Sequence, residues 1–525
     1  MFRPLALAVT ALVMFVGLST GVASAGSSFR SVDIGVRDGV ILKGNVFTPD
    51  TSGQHPAIVF ITSWGLPNLE YIAQAASFAD AGYVVLSYTP RGFYTSGGYI
   101  ETAGPKDVAD VTDVINWLLA NTPTDPARIG AAGISYGSGI SLLGAAFDPR
   151  IRAVVAMSTW TDLLYSLFSN QTRHQQAAGL LKLAADLTGH PSPELQQILT
   201  DYFGNQNIPG LTAFAQARSA ATYVSQLNAN RPAILMANAY GDSLFAPNQL
   251  ASFFGQLTVP YKRLELRPGD HAIPELTGIL GLPNDAWTST HRWFDQFLRG
   301  VSTGIATENP IQLQRRGDNG YESYPSWGAI STSSARFHLG EVHWWSNEGD
   351  LATASQGSWS HSISAGVDTL ADGGVVLLSN GAEALTGQPP TVWVAGVSRL
   401  LGAVWQSGWL SAAQRVRGAA RLHLTVTPSN SGQTTIIAYL YDTDWSGTGS
   451  LVTHVAYTIR GAVAGKPYTI DTDFPATVYD VASGHRLSLV VDTVDPLYAD
   501  QAAAFTSVKL SSPSTDPSYV ALPLR

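Results

Sequence analysis

RIGAAGISYGSGISLLGAAF, residues 128–147, is the stretch that decides the fold of this 525-residue chain. Its first half is an apolar run typical of a buried strand, and ISLLGAAF (140–147) is typical of a helix. Between them lies Gly133-Ile134-Ser135-Tyr136-Gly137, the pattern G-x-S-x-G. A sharp strand-to-helix turn of this kind exposes the serine hydroxyl at the strand's end, and its glycines let neighbouring backbone pass closely. The context therefore predicts that Ser135 is a nucleophile.

Strand and helix patterns alternate on both sides of this turn. The apolar runs typical of buried strands are residues 55–62, 83–91, 151–160, 232–240 and 261–269. Strands that alternate with helices predict a mostly parallel sheet covered by helices on both faces. Together with the serine turn at the end of a strand, this pattern predicts an α/β protein with an α/β-hydrolase fold over residues 26–303.

One connection in this series is much longer than a simple crossover. Residues 163–230 carry leucines and phenylalanines at helix-like spacings between two predicted strands. In open α/β sheets, ligands bind outside the carboxyl ends of the strands, and an insertion at this point covers that edge. The segment is therefore predicted to be a helical lid.

The sequence pattern changes after about residue 302. Short runs that alternate apolar and polar residues follow, at 420–428, 434–442, 454–461 and 486–494. This pattern predicts an all-β, jelly-roll-like sandwich over residues 304–525. Eight of the 13 tryptophans lie there, and we expect them to fill its core, although exposed rows of aromatic rings can also bind glycans.

A serine hydroxyl becomes a nucleophile when a neighbouring base removes its proton. The histidines between Ser135 and the end of the predicted sheet are His174, His190 and His271. The first two fall in the predicted lid, whereas His271 in RPGDHA follows the last predicted strand, at the same edge as Ser135. His271 is therefore the predicted general base.

The histidine needs an acid that orients it and stabilises its charged form. Asp242 follows the strand 232–240 in the loop YGDSLF, again at the carboxyl edge. Asp270 is adjacent to His271, but neighbouring side chains rarely meet well in a turn, and Asp148 and Asp162 follow other elements. Asp242 is therefore the predicted acid.

The oxyanion of the reaction needs two hydrogen-bond donors. The main-chain N–H of Tyr136, the residue after the nucleophile, is the first expected donor. The second comes from the loop after strand 55–62, where either Trp64 or Gly65 can donate its main-chain N–H. The sequence leaves the choice between these two open.

The composition excludes several other chemistries. The absence of cysteine excludes disulfides, thiolate metal ligands and cysteine nucleophiles. With 30 Lys and Arg against 39 Asp and Glu, the net charge is −9, and no basic run suits a nucleic acid or an anionic membrane. No motif implies a metal or an organic cofactor, and we expect none.

The first residues have the pattern of a targeting segment. A basic start at Arg3 precedes the apolar run LALAVTALVMFVGL (5–18) and the small residues Ala23-Ser24-Ala25. The run is short for a bilayer span, which needs about 20 apolar residues. Residues 1–25 are therefore predicted to be a signal peptide whose cleavage leaves a secreted, extracellular protein without a stable membrane insertion.

Four stretches together resemble a known family. YTPRGFYTSGG (88–98), GISYGSG (133–139), DPRIRAVVAMSTWTDL (148–163) and GHRLSL (484–489) are similar to the X-Pro dipeptidyl-peptidases and cocaine-esterase-like acyl hydrolases. The resemblance spans both predicted domains. It implies that the family's catalytic serine, which lies in such a strand-to-helix turn, corresponds to Ser135, and that its acid and histidine correspond to Asp242 and His271.

The sequence departs from this family at one position. Cocaine-esterase-like members use a tyrosine hydroxyl after the third strand to assist the oxyanion, and this chain has Trp64 there. A main-chain donor is therefore expected here instead.

The combined prediction is an exported serine hydrolase that cleaves a small-molecule ester or short-peptide amide through an acyl-enzyme. One alternative is an Xaa-Pro dipeptidyl-peptidase, which needs carboxylates to hold a substrate ammonium. The predicted lid offers few of these, namely Asp186, Glu194 and Asp201, which favours uncharged acyl substrates. Another alternative is a non-catalytic surface protein whose sandwich binds a glycan or polymer.

Overall fold

A ten-stranded sheet forms the centre of the first part of the chain, with strand order β1-β2-β4-β3-β5-β6-β7-β8-β9-β10. The structure is a computed structural model that describes residues 26–318, 320–499 and 501–525. The predicted signal peptide, residues 1–25, lies outside the described residues. The strands are β1 Ser27–Gly35, β2 Ile41–Pro49, β3 His55–Ile61, β4 Val84–Thr89, β5 Thr124–Ile134, β6 Ile151–Met157, β7 Ala233–Ala239, β8 Lys262–Arg267, β9 Ile311–Gln314 and β10 Tyr321–Tyr324.

The centre of this sheet is parallel, from β4 through β3 and β5 to β9. Every residue of β3, β4 and β7 is buried, because helices cover both faces of a parallel sheet. These helices are α1 Ile72–Asp80, α2 Pro105–Asn121, α3 Tyr136–Phe147, α9 Asn248–Gln256, α10 Leu276–Ile279 and α11 Asp285–Phe294. The predicted α/β-hydrolase fold is confirmed. The sheet also takes β9 and β10 from beyond residue 303, where the sequence predicts the end of this domain.

A helical insertion lies between β6 and β7, as predicted. Its helices are α4 Leu163–Phe168, α5 Gln175–Thr188, α6 Pro193–Phe203, α7 Ile208–Gln216 and α8 Val224–Asn230. Helix α6 shows why the sequence starts a helix at this point: Pro193 occupies its first turn, and the Ser192 side chain accepts the main-chain N–H of Leu195. We call α4 to α8 the lid.

The rest of the chain is a β sandwich, as predicted, with one α-helix among its described strands. It begins with β11 Ser333–Leu339, β12 Glu348–Ala352, β13 Trp359–Ser364, helix α12 Ser379–Thr386, β14 Thr391–Trp393, β15 Ala403–Gln406, β16 Gln414–Gly418 and β17 Arg421–Pro428. It continues with β18 Gly432–Thr443, β19 Thr448–Ala462, β20 Tyr468–Asp473, β21 Thr477–Val481, β22 Arg486–Asp492, β23 Ser507–Ser512 and β24 Tyr519–Leu524.

Strand β18 shows how the sandwich is joined to the first domain. Ile436, Ala438 and Leu440 belong to the inner core of the sandwich. The alternate residues Ile437 and Tyr439 belong to the core that continues into the α/β domain and the lid. Because successive strand residues point to opposite faces, β18 is buried on both sides.

The expectation that the eight tryptophans of this domain fill its core is wrong for most of them. Trp359 and Trp405 are buried in the sandwich. The exposed tryptophans are Trp344, Trp345, Trp393, Trp409 and Trp445. They lie in turns, in a loop or at a strand end, where strand alternation does not direct side chains inward.

Among the described residues, no helix is long and apolar enough to cross a membrane.

Candidate active site

Ser135 lies at the turn between β5 and α3, in the strained conformation that the motif requires. Its φ is 55° and its ψ −117°, outside the regions that non-glycine residues ordinarily adopt. A Cβ on Gly137 would lie 1.8 Å from the Ile61 carbonyl oxygen, and one on Gly133 would lie 2.7 Å from the same oxygen. The two glycines therefore let β3 pass close to the turn that presents the serine.

The structure brings together the three side chains predicted from the sequence. His271 Nε2 lies 2.7 Å from Ser135 Oγ, and His271 Nδ1 lies 3.0 Å from Asp242 Oδ2. All three residues are buried. Asp242 is itself fixed, because its Oδ1 accepts the main-chain N–H groups of Leu244 at 3.0 Å and Phe245 at 2.7 Å. The arrangement is a continuous hydrogen-bonded row from hydroxyl to imidazole to carboxylate.

The surroundings of His271 favour its charged form despite its burial. Burial lowers the pKa of the imidazole, but the negative charge and hydrogen bond of Asp242 outweigh it, so the pKa lies above its ordinary value. Phe245 packs edge-on against the ring with centroids 4.8 Å apart. The imidazole is therefore held in place and suited to accept a proton.

Asp270 lies beside the histidine but does not bond to its ring. Its Oδ1 accepts the main-chain N–H groups of His271 and Ser243, both at 2.7 Å, and the Ser243 hydroxyl at 2.8 Å. Burial and the charge of Asp242 raise the pKa of Asp270 to about 7. Asp270, which was set aside from the sequence as the histidine's acid, thus binds the main chain of the histidine loop, and no sequence pattern indicates this contact.

Ser158 and Glu275 support the other side of the histidine loop. Ser158 Oγ accepts the main-chain N–H of Ala272 at 2.9 Å and donates to Glu275 Oε2 at 3.1 Å. Burial raises the pKa of Glu275 to about 7. Ser158 follows β6 with a φ of 43°, but no sequence motif marks it.

Two of the predicted oxyanion donors, Tyr136 and Trp64, line the same cavity as Ser135. The main-chain N–H groups of Tyr136, Trp64 and Gly65 have no acceptor within the described part of the chain. The Trp64 indole N–H donates to the Leu181 carbonyl at 2.9 Å, so the indole is already engaged. Trp64 lines the cavity at Ser135, whereas Gly65 does not.

A buried carboxyl fixes the loop that carries Trp64. Glu70 Oε2 accepts the Ser63 main-chain N–H at 2.7 Å, and Glu70 Oε1 lies 2.6 Å from the Ser63 hydroxyl. The same hydroxyl lies 3.1 Å from the Ile134 carbonyl oxygen, directly before Ser135. Burial raises the pKa of Glu70 to about 7. The sequence analysis did not identify Glu70, because no motif links it to this loop.

An apolar cavity extends from Ser135 beneath the lid. Near the serine its walls are Trp64, Tyr136, Trp160 and Phe245. The lid contributes Leu163, Leu164, Leu167, Phe168, Ala178, Leu181, Leu195, Ile198, Leu199, Tyr202, Leu211, Phe214 and Ala215. The remaining wall residues are Thr102 and Lys182. We call this space the lid cavity.

The described residues include no group of three or more His, Asp or Glu side chains placed to hold a metal ion.

Both domains match family models. Residues 38–273 match the model described as X-Pro dipeptidyl-peptidase (S15 family). Residues 303–520 match the model described as the X-Pro dipeptidyl-peptidase C-terminal non-catalytic domain.

Similar proteins are known among curated sequences and solved structures. A thiohydrolase of Arthrinium phaeospermum is 33% identical over 131 residues, 24% of this chain and 42% of the relative. A cocaine esterase of Rhodococcus sp. is 22% identical over 373 residues, 59% of this chain and 62% of the relative. The chain thus matches less than two thirds of the length of either. A solved α-amino acid ester hydrolase has the same fold, with a TM-score of 0.72 and 17% identity over 97% of this chain and 98% of that one.

Proposed function

Because the chain belongs to the X-Pro dipeptidyl-peptidase (S15) family, we propose that it is a serine hydrolase that cleaves an acyl ester or amide through a covalent acyl-enzyme. The observation that carries the proposal is the row of short contacts at the carboxyl edge of the sheet. Ser135 Oγ lies 2.7 Å from His271 Nε2, and His271 Nδ1 lies 3.0 Å from Asp242 Oδ2.

The first half of the proposed reaction forms the acyl-enzyme. Ser135 Oγ attacks the substrate carbonyl carbon while His271 Nε2 takes the hydroxyl proton. The carboxylate of Asp242 stabilises the resulting imidazolium, which agrees with the raised pKa of His271. The imidazolium then gives its proton to the leaving alcohol or amine as the bond to the carbonyl carbon breaks.

The tetrahedral intermediate carries a negative oxygen that needs donors. The main-chain N–H groups of Tyr136 and Trp64 fit this role, because both residues line the lid cavity at Ser135 and neither N–H has an acceptor in the described chain. Removing one such donor typically raises the barrier by about 3–4 kcal/mol.

The second half releases the acid. His271 takes a proton from a water molecule, whose oxygen attacks the acyl carbon. The intermediate collapses, the bond to Ser135 Oγ breaks, and the serine recovers its proton from the imidazolium. The products are a free carboxylic acid and an enzyme in its starting state.

Fluorophosphonate labelling of the full chain tests the proposal, together with hydrolysis of p-nitrophenyl esters. We expect Ser135→Ala to abolish labelling and to lower kcat by at least about 1,000-fold. Labelling that persists in this variant would overturn the role of Ser135. A wild-type protein that neither labels nor turns over would instead support the non-catalytic alternative.

The Xaa-Pro dipeptidyl-peptidase alternative is separated by substrate. A p-nitroanilide of Ala-Pro and a simple aryl ester are compared on the same wild-type preparation. Faster cleavage of the ester, by kcat/KM, supports the acyl esterase, and faster cleavage of the anilide supports the peptidase.

We also propose that residues 1–25 direct export and are removed. The support is the sequence pattern, with its apolar run and its small residues at Ala23 and Ala25. N-terminal sequencing of protein recovered from the culture medium should begin at Gly26. Protein that stays inside the cell with Met1 intact would contradict export.

A further inference from the structure

Resting on the proposed function, we infer that the acyl group is an uncharged aliphatic chain that runs from Ser135 into the lid cavity. The preferred substrates are then esters of unbranched carboxylic acids of medium length. Acids that carry an α-ammonium group, as in peptides, are rejected.

The position of the cavity relative to the histidine assigns it to the acyl side. The leaving group departs next to His271 Nε2, because it receives its proton there. Ser135, Tyr136 and Trp64 line the lid cavity, whereas His271 and Asp242 do not. The cavity therefore extends from the nucleophile and the oxyanion donors, away from the leaving group, and the acyl part of the substrate fills it.

The walls of the cavity have the chemistry of a hydrocarbon site. Among the described residues that line it, Lys182 is the one charged side chain, and its ammonium is paired with Asp186. The two wall indoles have no free N–H to offer, since Trp64 donates to the Leu181 carbonyl and Trp160 to the Arg218 carbonyl. Transfer of an apolar acyl chain from water into this cavity is therefore favourable, whereas a polar acyl chain would find few hydrogen-bond partners.

One part of the cavity wall is a packed apolar cluster contributed by the lid. Ala178, Tyr202 and Leu211 form a buried cluster of their own, against which Phe168 and Ile198 pack. All five residues also line the cavity. Ala178 has the smallest side chain of the five, so a larger side chain at this position would reduce the space for an acyl chain.

The described residues that line this cavity include no carboxylate that could pair with a substrate ammonium. The lid acids foreseen as candidates are Asp186, Glu194 and Asp201, and none of them lines it. Asp186 pairs with Lys182 and Glu194 with Arg218. Asp201 accepts the side-chain amides of Gln197 and Asn207, each at 2.8 Å. An α-ammonium next to Ser135 would be buried without a counter-charge, which costs binding.

A ladder of p-nitrophenyl esters from acetate to decanoate tests the chain length. We expect kcat/KM to rise about fourfold per added methylene until the cavity is full, and then to level off or fall. Acetate esters of alcohols of increasing length serve as the counterpart and should give a flat profile. The inference would be overturned if kcat/KM did not change with the length of the acid, or if it rose with the length of the alcohol instead.

Two substitutions in the cavity should move the optimum in opposite directions. Ala178→Phe shortens the space, so the ratio of kcat/KM for octanoate over acetate should fall about 10-fold or more. Leu199→Ala lengthens it and should move the optimum to longer acids. Leu187→Phe is the matched control, because Leu187 lies exposed on the same helix and outside the cavity, and its profile should equal the wild type. If all three variants keep the wild-type ladder, the cavity does not hold the acyl chain.

A matched pair of acids tests the charge. The p-nitrophenyl ester of octanoic acid should exceed that of 2-aminooctanoic acid by about 10-fold or more in kcat/KM. Equal rates would overturn the rejection of ammonium groups. These results also separate this inference from the proposed function. If the proposed function is wrong, the chain will neither react with a fluorophosphonate nor hydrolyse any ester. If this inference alone is wrong, the enzyme will be labelled and active but will show no preference for uncharged acyl chains of medium length.

Discussion

Asp270 holds His271 by its main chain and not by its ring, since Asp270 Oδ1 accepts the His271 N–H at 2.7 Å. The same oxygen accepts the main-chain N–H of Ser243 at 2.7 Å, one residue after Asp242. Asp270 therefore fastens the loop that carries the proposed acid to the loop that carries the proposed base. We regard Asp270 as a positioning residue that also adds negative charge near the imidazole.

Replacing Asp270 should change the pH profile as well as the rate. Where Asp270 is ionised, at and above its own pKa of about 7, its charge raises the pKa of His271, so Asp270→Asn should lower the pKa of His271. Because the base must be neutral to take a proton, the acid limb of kcat/KM should move to lower pH. Asp242 and Glu275, the other acids that raise this pKa, are unchanged in the variant.

Asp270→Ala additionally removes the clamp. We expect kcat to fall about 10-fold or more, with KM little changed, because the proposed acid and base lose their common anchor. The pH profiles of kcat/KM for the wild type and both variants provide the check. An acid limb that stays in place in Asp270→Asn would mean that Asp270 has a structural role alone.

The two glycines of the turn around Ser135, Gly133 and Gly137, give a second prediction. A Cβ at Gly137 would lie 1.8 Å from the Ile61 carbonyl oxygen, so Gly137→Ala forces β3 and the turn apart. We expect it to destabilise the protein by about 3 kcal/mol or more and to abolish fluorophosphonate labelling. Gly255→Ala is the control, since this exposed helix glycine has open space around it and should stabilise by about 0.5–1 kcal/mol. Thermal unfolding checks both, and a Gly137→Ala protein of wild-type stability would contradict the close approach.

The site could be predicted where chain order and strand ends determine it. Ser135, Asp242 and His271 each follow a buried strand whose apolar run is clear in the sequence, so their convergence at one edge follows from topology. Ser158 also directly follows a buried strand, β6, but no motif marks it. Glu70 and Glu275 lie in turns and act through buried hydrogen bonds to Ser63 and Ser158, which leave no periodic pattern in the sequence.

The sandwich shows a different limit of sequence reasoning. Its strands could be predicted because alternation marks them, but the positions of its tryptophans could not. Trp344 and Trp445 lie exposed in turns. A turn lacks the alternation by which every second side chain of a strand points into the core. Apolarity alone predicted a core position and was wrong there.

Glu70 should contribute to catalysis through the loop that it anchors. Glu70→Ala leaves the Ser63 N–H buried without its acceptor and frees the loop that carries Trp64. We expect kcat to fall about 10-fold or more with a smaller effect on KM, because the oxyanion donor acts in the transition state. Glu70→Gln keeps an acceptor for Ser63 and should recover part of the loss. Steady-state kinetics check this, and a rise in KM at unchanged kcat would contradict it.

Buried acids should make the protein more stable at mildly acidic pH than at pH 8. Burial raises the pKa of Glu70, Asp107 and Asp495 to about 7. In the unfolded chain such acids ionise near pH 4, so the folded state binds more protons between these values, and stability falls as pH rises through 7. His174 and His454 have the opposite effect, because burial lowers their pKa to about 4. Their contribution to the stability of the folded protein is lost as the pH falls below 6.5.

The measurement is the Tm as a function of pH at constant ionic strength. We expect it to be a few degrees higher at pH 6.5 than at pH 8, because the acids lose most of their contribution between these values, whereas the titration of His174 and His454 near pH 6.5 in the unfolded chain offsets part of it. Asp107→Asn removes one of the titrating carboxyls and should therefore reduce this difference in Tm. The amide group should fit in its place, because Asp107 Oδ1 has no hydrogen-bond partner in the described chain. A Tm that rises from pH 6.5 to pH 8 would contradict the assignment of these acids as protonated.

The sandwich shapes the lid cavity without lining it. All described residues around the cavity come from the α/β domain and the lid. On the sandwich side, the Arg460 guanidinium lies 4.9 Å from the ring of Phe168, a cavity wall, and donates to the Gln171 carbonyl at 2.7 Å. Thr458 Oγ1 lies 2.8 Å from Thr172 Oγ1. These contacts fasten the end of α4, and the turn after it, to strand β19.

Loosening this attachment should weaken binding of long acyl chains. Arg460→Gln removes the cation from the Phe168 ring and one or both bonds to Gln171, so we expect KM for octanoyl esters to rise about 3- to 10-fold. Fluorophosphonate labelling of Ser135 should persist, because the row from Ser135 to Asp242 does not involve β19. Arg336→Gln is the matched control, since Arg336 lies 4.1 Å over the Tyr519 ring in the sandwich, away from the lid, and should behave as the wild type. Equal KM values for Arg460→Gln and the control would mean that the lid keeps its shape without the sandwich.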